Sequence, residues 1–167
     1  MGAFVIYIMG VSGSGKTTVG KKLSAKTGLP FFDGDDFHSS SNRKKMQAGH
    51  PLNDEDRKAW LHRINELAKD QVKTGGAIIA CSALKEKYRE VLSMGISGSV
   101  IWIFLQGSYE LIRKRLEARK DHFMPASLLA SQFEALEVPS DALNIDIAIG
   151  PDQIVGKITA YLETSKS

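Results

Sequence analysis

The sequence predicts one α/β domain over residues 1–167, a three-layer sandwich in which helices cover both faces of a five-stranded parallel sheet. Short apolar or β-branched runs alternate with longer helical patterns along the whole chain, which is typical of such a sheet. A loop rich in glycine and serine also lies directly between the first strand and the first helix. The length of 167 residues suits a single domain, and no Pro-, Gly- or Ser-rich linker divides the chain.

The first three elements precede residue 34. Residues 4–9 are apolar at every position, which predicts a strand buried on both faces. A helix is predicted over about residues 16–27, because Gly28 favours a helix end and Pro30 prevents continuation. A short second strand is predicted over Phe31–Asp33.

A long helix and a third strand follow. Either Asn53 or Asp54 can cap a helix that runs to about Lys73. Its apolar stripe consists of Trp60, Ile64, Leu67 and Ala68. Gly75-Gly76 ends the helix, and Ala77–Cys81 is predicted to be the third strand.

The second half of the chain continues the alternation. A helix containing Tyr88 precedes a fourth strand over 100–105, which is again apolar throughout. A strongly basic helix is predicted over 109–119. Residues 145–149 alternate more than the other strands, which indicates an edge strand. The last helix begins near Pro151 and carries Ile154, Val155, Ile158, Tyr161 and Leu162 on its apolar face.

The glycine-rich loop is the most informative motif for binding. It matches G-x-x-x-x-G-K-[ST] at every fixed position, so its backbone N–H groups and the following helix N-terminus can cradle phosphates. Lys16 can reach the outer phosphates, and the Thr17 hydroxyl can ligate Mg²⁺. The alternative is a glycine-rich turn without a ligand, but the flanking strand and helix favour binding of nucleotide phosphates. The predicted ATP-binding residues here are Gly10, Val11, Ser12, Gly13, Ser14, Gly15, Lys16, Thr17 and Thr18.

Carboxylates next to this loop point to a kinase. The strings N-K-x-D and D-x-x-G of guanine-nucleotide switches are absent, and the third strand ends without the acid that motors use. Acidic residues instead follow the second strand, where Asp35 can deprotonate an acceptor hydroxyl and Asp33 can hold hydrated Mg²⁺. The alternative for both is a solvated turn.

At this point the sequence resembles the small P-loop gluconate kinases (gluconokinases) over nearly its whole length. Besides the phosphate loop, the strings that carry the resemblance are Phe32-Asp33-Gly34-Asp35-Asp36-Phe37-His38 with Asn42 and Lys45-Met46, Gly49-His50-Pro51-Leu52-Asn53-Asp54-Glu55-Asp56-Arg57 with Trp60-Leu61, Cys81-Ser82-Ala83-Leu84-Lys85 with Tyr88-Arg89, Arg115, Arg119, His122-Phe123-Met124-Pro125, and Ser131-Gln132-Phe133 with Leu136-Glu137 and Pro139. One departure is Ala59, where many members have proline before the tryptophan. It affects only a helix N-terminus.

The resemblance implies an enzyme that phosphorylates D-gluconate to 6-phospho-D-gluconate with ATP and Mg²⁺, feeding sugar-acid catabolism through the pentose phosphate route. It also implies a P-loop NTPase fold of the nucleoside-monophosphate-kinase and shikimate-kinase type, with a helical lid at about 115–135, and a homodimer.

Gluconate is a polyol with one carboxylate, so its site needs hydroxyl acceptors and at least one cation. The candidate substrate-binding residues of these types are Asp35, His38, Arg57, Lys85, Arg89 and Gln132. Each has an alternative interpretation. Arg57 can pair with Asp54 on one helix face, His38 can be a turn residue, and Lys85 and Arg89 can be solvated on a shared face.

The basic helix supplies the remaining candidates. Arg115 and Arg119 are four residues apart and share a helix face. We expect Arg115 to bind ATP and Arg119 to join Lys16 and Asp35 in catalysis, because a closing lid can bring arginine onto the transferring phosphoryl group. The alternatives are a solvated face or a nucleic-acid patch, and no aromatic platform supports the latter.

Composition excludes several other classes. Hydrophobic residues at 43% and charged residues at 25% rule out a fibrous or disordered chain, and a net charge of +3 does not suggest a nucleic-acid binder. The single cysteine, Cys81, excludes a disulfide framework and a multi-cysteine zinc site. No apolar run approaches the ~20 residues that span a bilayer, and no signal peptide is visible. We therefore expect a cytoplasmic protein with no membrane or nucleic-acid partner.

Two other functions stay open. Shikimate kinase has a similar D-x-D after its second strand, but its usual glycine triplet after the third strand is replaced here by Cys81-Ser82-Ala83. A regulatory NTP-binding module without catalysis would also use the phosphate loop.

Overall fold

The computed structural model describes residues 3–119 and 126–165. Five parallel strands form one sheet in the order β2-β3-β1-β4-β5. The strands are β1 Val5–Met9, β2 Phe31–Asp33, β3 Ala77–Ala80, β4 Val100–Gln106 and β5 Leu143–Asp146. The α-helices are α1 Lys16–Thr27, α2 Ser40–Gln47, α3 Asp54–Thr74, α4 Glu86–Leu92, α5 Tyr109–Ala118, α6 Ala126–Ala135 and α7 Pro151–Ser165. Short 3₁₀ turns occupy Gly34–Phe37 and Ser97–Ser99.

The central strand is β1, which is buried at all five positions. Val5 lies opposite Ala77 of β3 and Val100 of β4, so β1 is paired on both sides. The carboxyl ends of parallel strands meet at one edge of the sheet, which is where open α/β sheets bind ligands. The loops that follow β1, β2 and β3 are thereby brought together at that edge.

Two apolar layers cover the sheet, as the sequence predicts. On one face, Ile6 and Ile8 of β1 pack with Val19 and Leu23 of α1 and with residues of α7. On the other face, alternate β1 residues such as Tyr7 pack with α3 and α4. This alternation follows from the twofold periodicity of a strand.

Most predicted elements lie within one or two residues of their observed bounds. The α3 helix begins at Asp54 because Asn53 accepts a hydrogen bond from the backbone N–H of Asp56, while Asp56 accepts one from the backbone N–H of Asn53. Its predicted stripe is buried at Trp60, Ile64 and Ala68 and half-buried at Leu67.

The predicted fifth strand is displaced. It occupies Leu143–Asp146, not 145–149, although it is an edge strand as expected. The cause is local, because the Asp146 carboxylate accepts a hydrogen bond from the backbone N–H of Ala148 at 2.9 Å. An aspartate that bonds the N–H two residues further on favours a turn over a continued strand.

Helix α2 was not expected, α6 was predicted only as part of a helical lid, and the basic helix α5 is one residue shorter than predicted. The α2 helix is almost entirely polar, so it has no apolar stripe to identify it, and it starts where the Ser39 hydroxyl accepts from the N–H of Asn42. Arg119 follows the end of α5 in an extended conformation. The α6 helix lies within the predicted lid, whereas His122-Phe123-Met124-Pro125 lies outside the described residues.

A helix that spans a membrane needs about 20 mostly apolar residues. Among the helices in the described part of the chain, none is long and apolar enough to cross a bilayer.

Candidate active site

The phosphate loop has the backbone conformation that its glycines predict. Gly10 and Gly13 have φ values of +150° and +82°, which L side chains rarely adopt. A Cβ on Gly10 would lie 2.9 Å from the carbonyl oxygen of Leu105, and one on Gly13 would lie 2.9 Å from the Leu116 side chain. The loop ends at Gly15, which caps α1 without a side-chain hydrogen bond, so the first N–H groups of α1 are available to an anion.

Lys16 lies across this loop. Its ammonium donates hydrogen bonds to the carbonyl oxygens of Gly10 and Val11 at 2.9 and 3.0 Å. Burial lowers the pKa of Lys16, and the neighbouring Asp35 carboxylate opposes that shift by favouring the charged form. Lys16 therefore lies against the phosphate loop, and its contact with bound phosphates stays a prediction.

Asp33 connects the loop to the turn after β2. One oxygen of its carboxylate accepts a hydrogen bond from the Thr17 hydroxyl at 3.2 Å, and the other accepts from the backbone N–H of Asp35 at 3.0 Å. Thr17 and Asp33, the predicted metal ligands, thus present oxygen donors next to the phosphate loop. Oxygen donors are what Mg²⁺ prefers, and it usually keeps waters and phosphate oxygens as its other ligands. No cluster of three or more His, Cys, Asp or Glu side chains suited to a metal occurs in residues 3–119 and 126–165.

Asp35 belongs to the 3₁₀ turn and lines a cavity beside the loop. Its side chain is exposed to that cavity, but desolvation by the surrounding protein raises the pKa of the carboxyl. The Lys16 ammonium opposes this shift, while the carboxylates of Asp33 and Asp36 add to it. A carboxylate with a raised pKa is a stronger base, which suits proton abstraction from a hydroxyl.

This acceptor cavity has a volume of about 450 Å³ and opens at the carboxyl edge of the sheet. The predicted residues on its walls are Lys16, Asp35, His38, Arg57, Lys85 and Gln132. The predictions from separate parts of the sequence therefore converge on one cavity. Residues of the described α6 helix, among them Leu128 and Ser131, form another part of its wall.

His38 is buried and neutral. Its ring stacks on Trp60 with centroids 4.1 Å apart, and its Nε2 lies 4.0 Å from an oxygen of Asp35. Burial, together with the charges of Arg57 and Arg43, lowers the pKa of His38 to about 4. The Nδ1 of His38 lies 3.4 Å from the side-chain amide nitrogen of Asn42, so Nε2 is the ring nitrogen that it can offer to a hydroxyl. Trp60 also donates from its indole N–H to the carbonyl oxygen of Gly34 at 2.7 Å.

Arg57 and Lys85 share a neighbour that the site prediction did not include. The guanidinium carbon of Arg57 lies 5.1 Å from the centre of the Tyr88 ring, and the ammonium of Lys85 lies 5.8 Å from it. Tyr88 and Asp54 line the same cavity. Tyr88 occurs in the quoted Tyr88-Arg89 string, but its residue type alone gave no reason to place it in the site. The alternative pairing of Arg57 with Asp54 is not formed, since Asp54 contacts Lys87, Lys85 and Tyr88.

The structure does not bring Arg89 to the cavity, which corrects its predicted role as a substrate ligand. Arg89 is 7% exposed, and its guanidinium donates to the carbonyl oxygens of Ala83 and Glu137 at 2.7 and 2.9 Å. Ala83 has a φ of +46°, so its carbonyl is held in an uncommon backbone conformation. Nη1 and Nη2 of Arg89 thus bond to the turn that follows β3 and to the segment that follows α6, which gives Arg89 a structural position.

Gln132 lines the cavity but is engaged by the phosphate loop. Its Oε1 accepts from the backbone N–H of Ser12 at 2.8 Å, and its Nε2 donates to the Ser12 hydroxyl at 3.1 Å. Helix α6 is thus attached to the loop through one side chain. Substrate binding by Gln132 stays a prediction.

A second cavity of about 350 Å³ lies on the other side of the phosphate loop. Thr18, Arg115 and Arg119 line it together with loop residues 13–15 and the segment 148–151 after β5. Arg115 donates to the carbonyl oxygen of Ile147 at 2.7 Å, which ties α5 to that segment. Sequence reasoning missed 148–151, because residues 148–149 were predicted to end the fifth strand, Pro151 was predicted to begin the last helix, and the segment has no recognisable binding motif.

The phosphate loop therefore lies between two cavities. The cavity of about 350 Å³ is lined by loop residues and two arginines. The acceptor cavity is lined by carboxylates, cations and side chains that can bind hydroxyl groups. This arrangement, on a five-stranded parallel sheet, defines a small-molecule kinase with a P-loop. The sequence model of the shikimate kinase family matches residues 12–138.

Individual proteins that are similar to the chain show which family within this class it belongs to. The chain is 48% identical to the thermosensitive gluconokinase of Escherichia coli strain K12, covering 84% of this chain and 77% of that protein. It is 44% identical to a probable gluconokinase of Dictyostelium discoideum, covering 95% and 86%. The crystal structure of a gluconokinase from Sinorhizobium meliloti 1021 superposes with a TM-score of 0.84 at 35% identity, covering 98% of each chain. The chain belongs to the gluconokinase family, as its sequence motifs predict.

Proposed function

We propose that the protein transfers the γ-phosphoryl group of ATP to the 6-hydroxyl of D-gluconate, giving 6-phospho-D-gluconate and ADP. The observation that supports this most directly is the composition of the acceptor cavity. It combines a base beside the phosphate loop, Asp35, with two cations, Arg57 and Lys85, and a neutral imidazole, His38. An anionic polyol has the complementary groups.

ATP is proposed to bind with its phosphates on the loop and its adenosine in the second cavity. The loop supplies backbone donors and the Lys16 ammonium to the phosphates. Arg115 and Arg119 line the cavity next to Thr18, where they can contact the nucleotide. Lysine and arginine near the transferred group stabilise charge that develops in the transition state.

Mg²⁺ is proposed to bind at Thr17 and Asp33, whose oxygens are 3.2 Å apart beside the loop. When bound, it would neutralise charge on the β- and γ-phosphate oxygens. The protein's part is to hold Asp33 in place through its hydrogen bonds to Thr17 and to the backbone of Asp35.

In the proposed reaction the acceptor hydroxyl oxygen attacks the γ-phosphorus while Asp35 accepts the hydroxyl proton. The bond between the γ-phosphorus and the bridging β–γ oxygen breaks, and its electron pair leaves with ADP. Lys16 stabilises the charge on the transferring group, and Arg119 does so after closure of the predicted lid.

The product tests this function. After incubation of the protein with ATP, Mg²⁺ and D-gluconate, phosphorus NMR is expected to show a phosphomonoester coupled to the two hydrogens on carbon 6. A phosphate at any other carbon would contradict the proposed acceptor. No ester with gluconate, but one with shikimate, would favour the second candidate, which the match to the shikimate kinase family model supports.

We also propose a homodimer located in the cytoplasm, acting in sugar-acid catabolism. Sedimentation equilibrium tests the dimer, since a mass near 18.3 kDa would show a monomer.

A further inference from the structure

The Tyr88 side chain connects two helices at the wall of the acceptor cavity. It lies on α4 and is 4% exposed. Its hydroxyl donates to Oδ1 of Asp54 at 2.6 Å and accepts from Nη1 of Arg57 at 3.1 Å. Asp54 and Arg57 both belong to the first turn of α3, so one hydroxyl fixes that turn against α4.

The Tyr88 ring also has two cations near its face. Arg57 and Lys85 lie 5.1 and 5.8 Å from its centroid, within the range of cation–π attraction. Two like charges would otherwise repel each other. The ring and the Asp54 carboxylate, 3.9 Å from the Lys85 ammonium, hold both cations on one side of the cavity.

The charged side chains around Tyr88 have a net positive charge. Asp54 stays ionised because hydrogen bonds from Lys87 and Tyr88 hold its pKa at about 2. Lys87 contacts Asp54 without lining the cavity and offsets its charge. Lys85 and Lys87 share the single Asp54 carboxylate, and Arg57 makes no ion pair with a residue of the described ranges, so positive charge exceeds negative charge at this wall of the cavity.

One edge of the Arg57 guanidinium is available. Its Nη1 is used by the carbonyl oxygen of Leu52 and by Tyr88. Its Nε and Nη2 make no hydrogen bond to any residue in the described ranges 3–119 and 126–165. These two N–H groups form the fork that binds a carboxylate through two parallel hydrogen bonds.

We propose that Tyr88 is a positioning and specificity-determining residue, which with Asp54 aims the free edge of Arg57 and the Lys85 ammonium at the carboxylate of the acceptor. This rests on the proposed function and deepens it. The protein would select hydroxylated acids over uncharged polyols of the same length through this arrangement, while the reacting hydroxyl is handled separately by Asp35.

Binding measured without ATP tests this proposal independently of turnover. Calorimetry on the full chain gives dissociation constants for D-gluconate and for D-glucitol, which keeps the hydroxyl groups of gluconate and has a neutral hydroxymethyl group in place of the carboxylate. The variant is Tyr88→Phe, which keeps the ring beside both cations and removes only the hydroxyl. We expect its gluconate dissociation constant to rise about fivefold to tenfold, the usual effect of one lost hydrogen-bond link, while the glucitol constant changes less than about twofold.

Control variants show whether Tyr88→Phe acts by misplacing the two cations or by impairing the fold. Tyr7→Phe removes a buried tyrosine hydroxyl that bonds the carbonyl of Leu92, away from the cavity, and should leave both constants unchanged. Lys85→Gln should weaken gluconate alone, whereas Lys87→Gln, which touches the same Asp54 from outside the cavity, should have less than about a twofold effect. These lysine variants lie at accessible positions, so they test the site even where Tyr88→Phe folds poorly.

The outcomes distinguish this proposal from the proposed function. Equal weakening of gluconate and glucitol in Tyr88→Phe, or an unchanged gluconate constant in both Tyr88→Phe and Lys85→Gln, would overturn it. Selective weakening would support it. If the wild-type protein binds gluconate selectively but does not phosphorylate it with ATP, the proposed function fails while the carboxylate site stands.

Discussion

Trp60 links the stability of the fold to the geometry of the reacting groups. It is 3% exposed, donates its indole N–H to the Gly34 carbonyl at 2.7 Å, and stacks on His38. Gly34 begins the turn that carries Asp35 and packs closely against β3, because a Cβ at Gly34 would lie 2.5 Å from the carbonyl oxygen of Ala80. Trp60→Phe keeps a ring but removes the donor.

The expected loss of unfolding free energy in Trp60→Phe follows from the Gly34 carbonyl, which loses its hydrogen-bond donor. A buried acceptor left without its partner costs about 1–3 kcal/mol. Trp102→Phe is the matched control, because Trp102 is also buried at 8% exposure and stacked, on Tyr7, but makes no hydrogen bond to a described residue. Both substitutions remove similar apolar area, so the difference between them isolates the hydrogen bond.

Urea unfolding and initial rates measure the two effects. We expect Trp60→Phe to lose about 1–3 kcal/mol more unfolding free energy than Trp102→Phe, and to lower kcat, since the Asp35 turn loses its anchor. Trp102→Phe is expected to keep its kcat. Equal losses of stability in the two variants, or a normal kcat in Trp60→Phe, would refute this reasoning.

The other predictions concern the reacting groups. Lys16→Ala is expected to lower kcat by at least about 10²-fold while circular dichroism shows an intact fold; a wild-type rate would remove Lys16 from the mechanism. Asp35→Asn is expected to reduce kcat by about 10²–10⁴-fold with little change in ATP binding. If Asp33→Asn proves more costly to kcat, the two aspartates have exchanged roles. Because its pKa is raised, Asp35 is a base only above that value, so kcat should fall as the pH drops through a midpoint above the ordinary 3.8; a midpoint at or below 3.8 would contradict this. Arg119→Ala is expected to lower kcat with little effect on the KM for gluconate, and an unchanged kcat would leave it as a surface residue.

Local signals predicted the elements that depend on local chemistry. The phosphate loop and α1 follow from glycine conformation and a helix start that are encoded within a few residues. The edge position of β5 followed from its alternation, but its end did not, because the turn at Asp146 competes with an apolar pattern that continues to Ile149. The polar α2 helix offered no periodicity to read.

The sequence predicted which residue types form the candidate site better than it predicted which side chains reach the cavity. Arg57 and Lys85 reach the cavity and Arg89 does not, although all three are basic residues in quoted motifs. Whether such a side chain reaches the cavity depends on hydrogen-bond partners that are distant in the sequence. Arg89 is drawn inward by two carbonyl groups, one of them on Glu137, which is 48 residues away in the sequence. Such a partner cannot be inferred from spacing along one segment.

The central claim is that the acceptor cavity selects D-gluconate. Its most direct test is kcat/KM from coupled ADP release, measured with ATP and Mg²⁺ for D-gluconate, other aldonates, shikimate and nucleoside monophosphates in parallel. We expect gluconate to exceed shikimate and the nucleotides by at least about 10²-fold, because a site built around a substrate's polar groups rejects molecules that leave those groups unpaired. A higher kcat/KM for shikimate or a nucleoside monophosphate would contradict the claim.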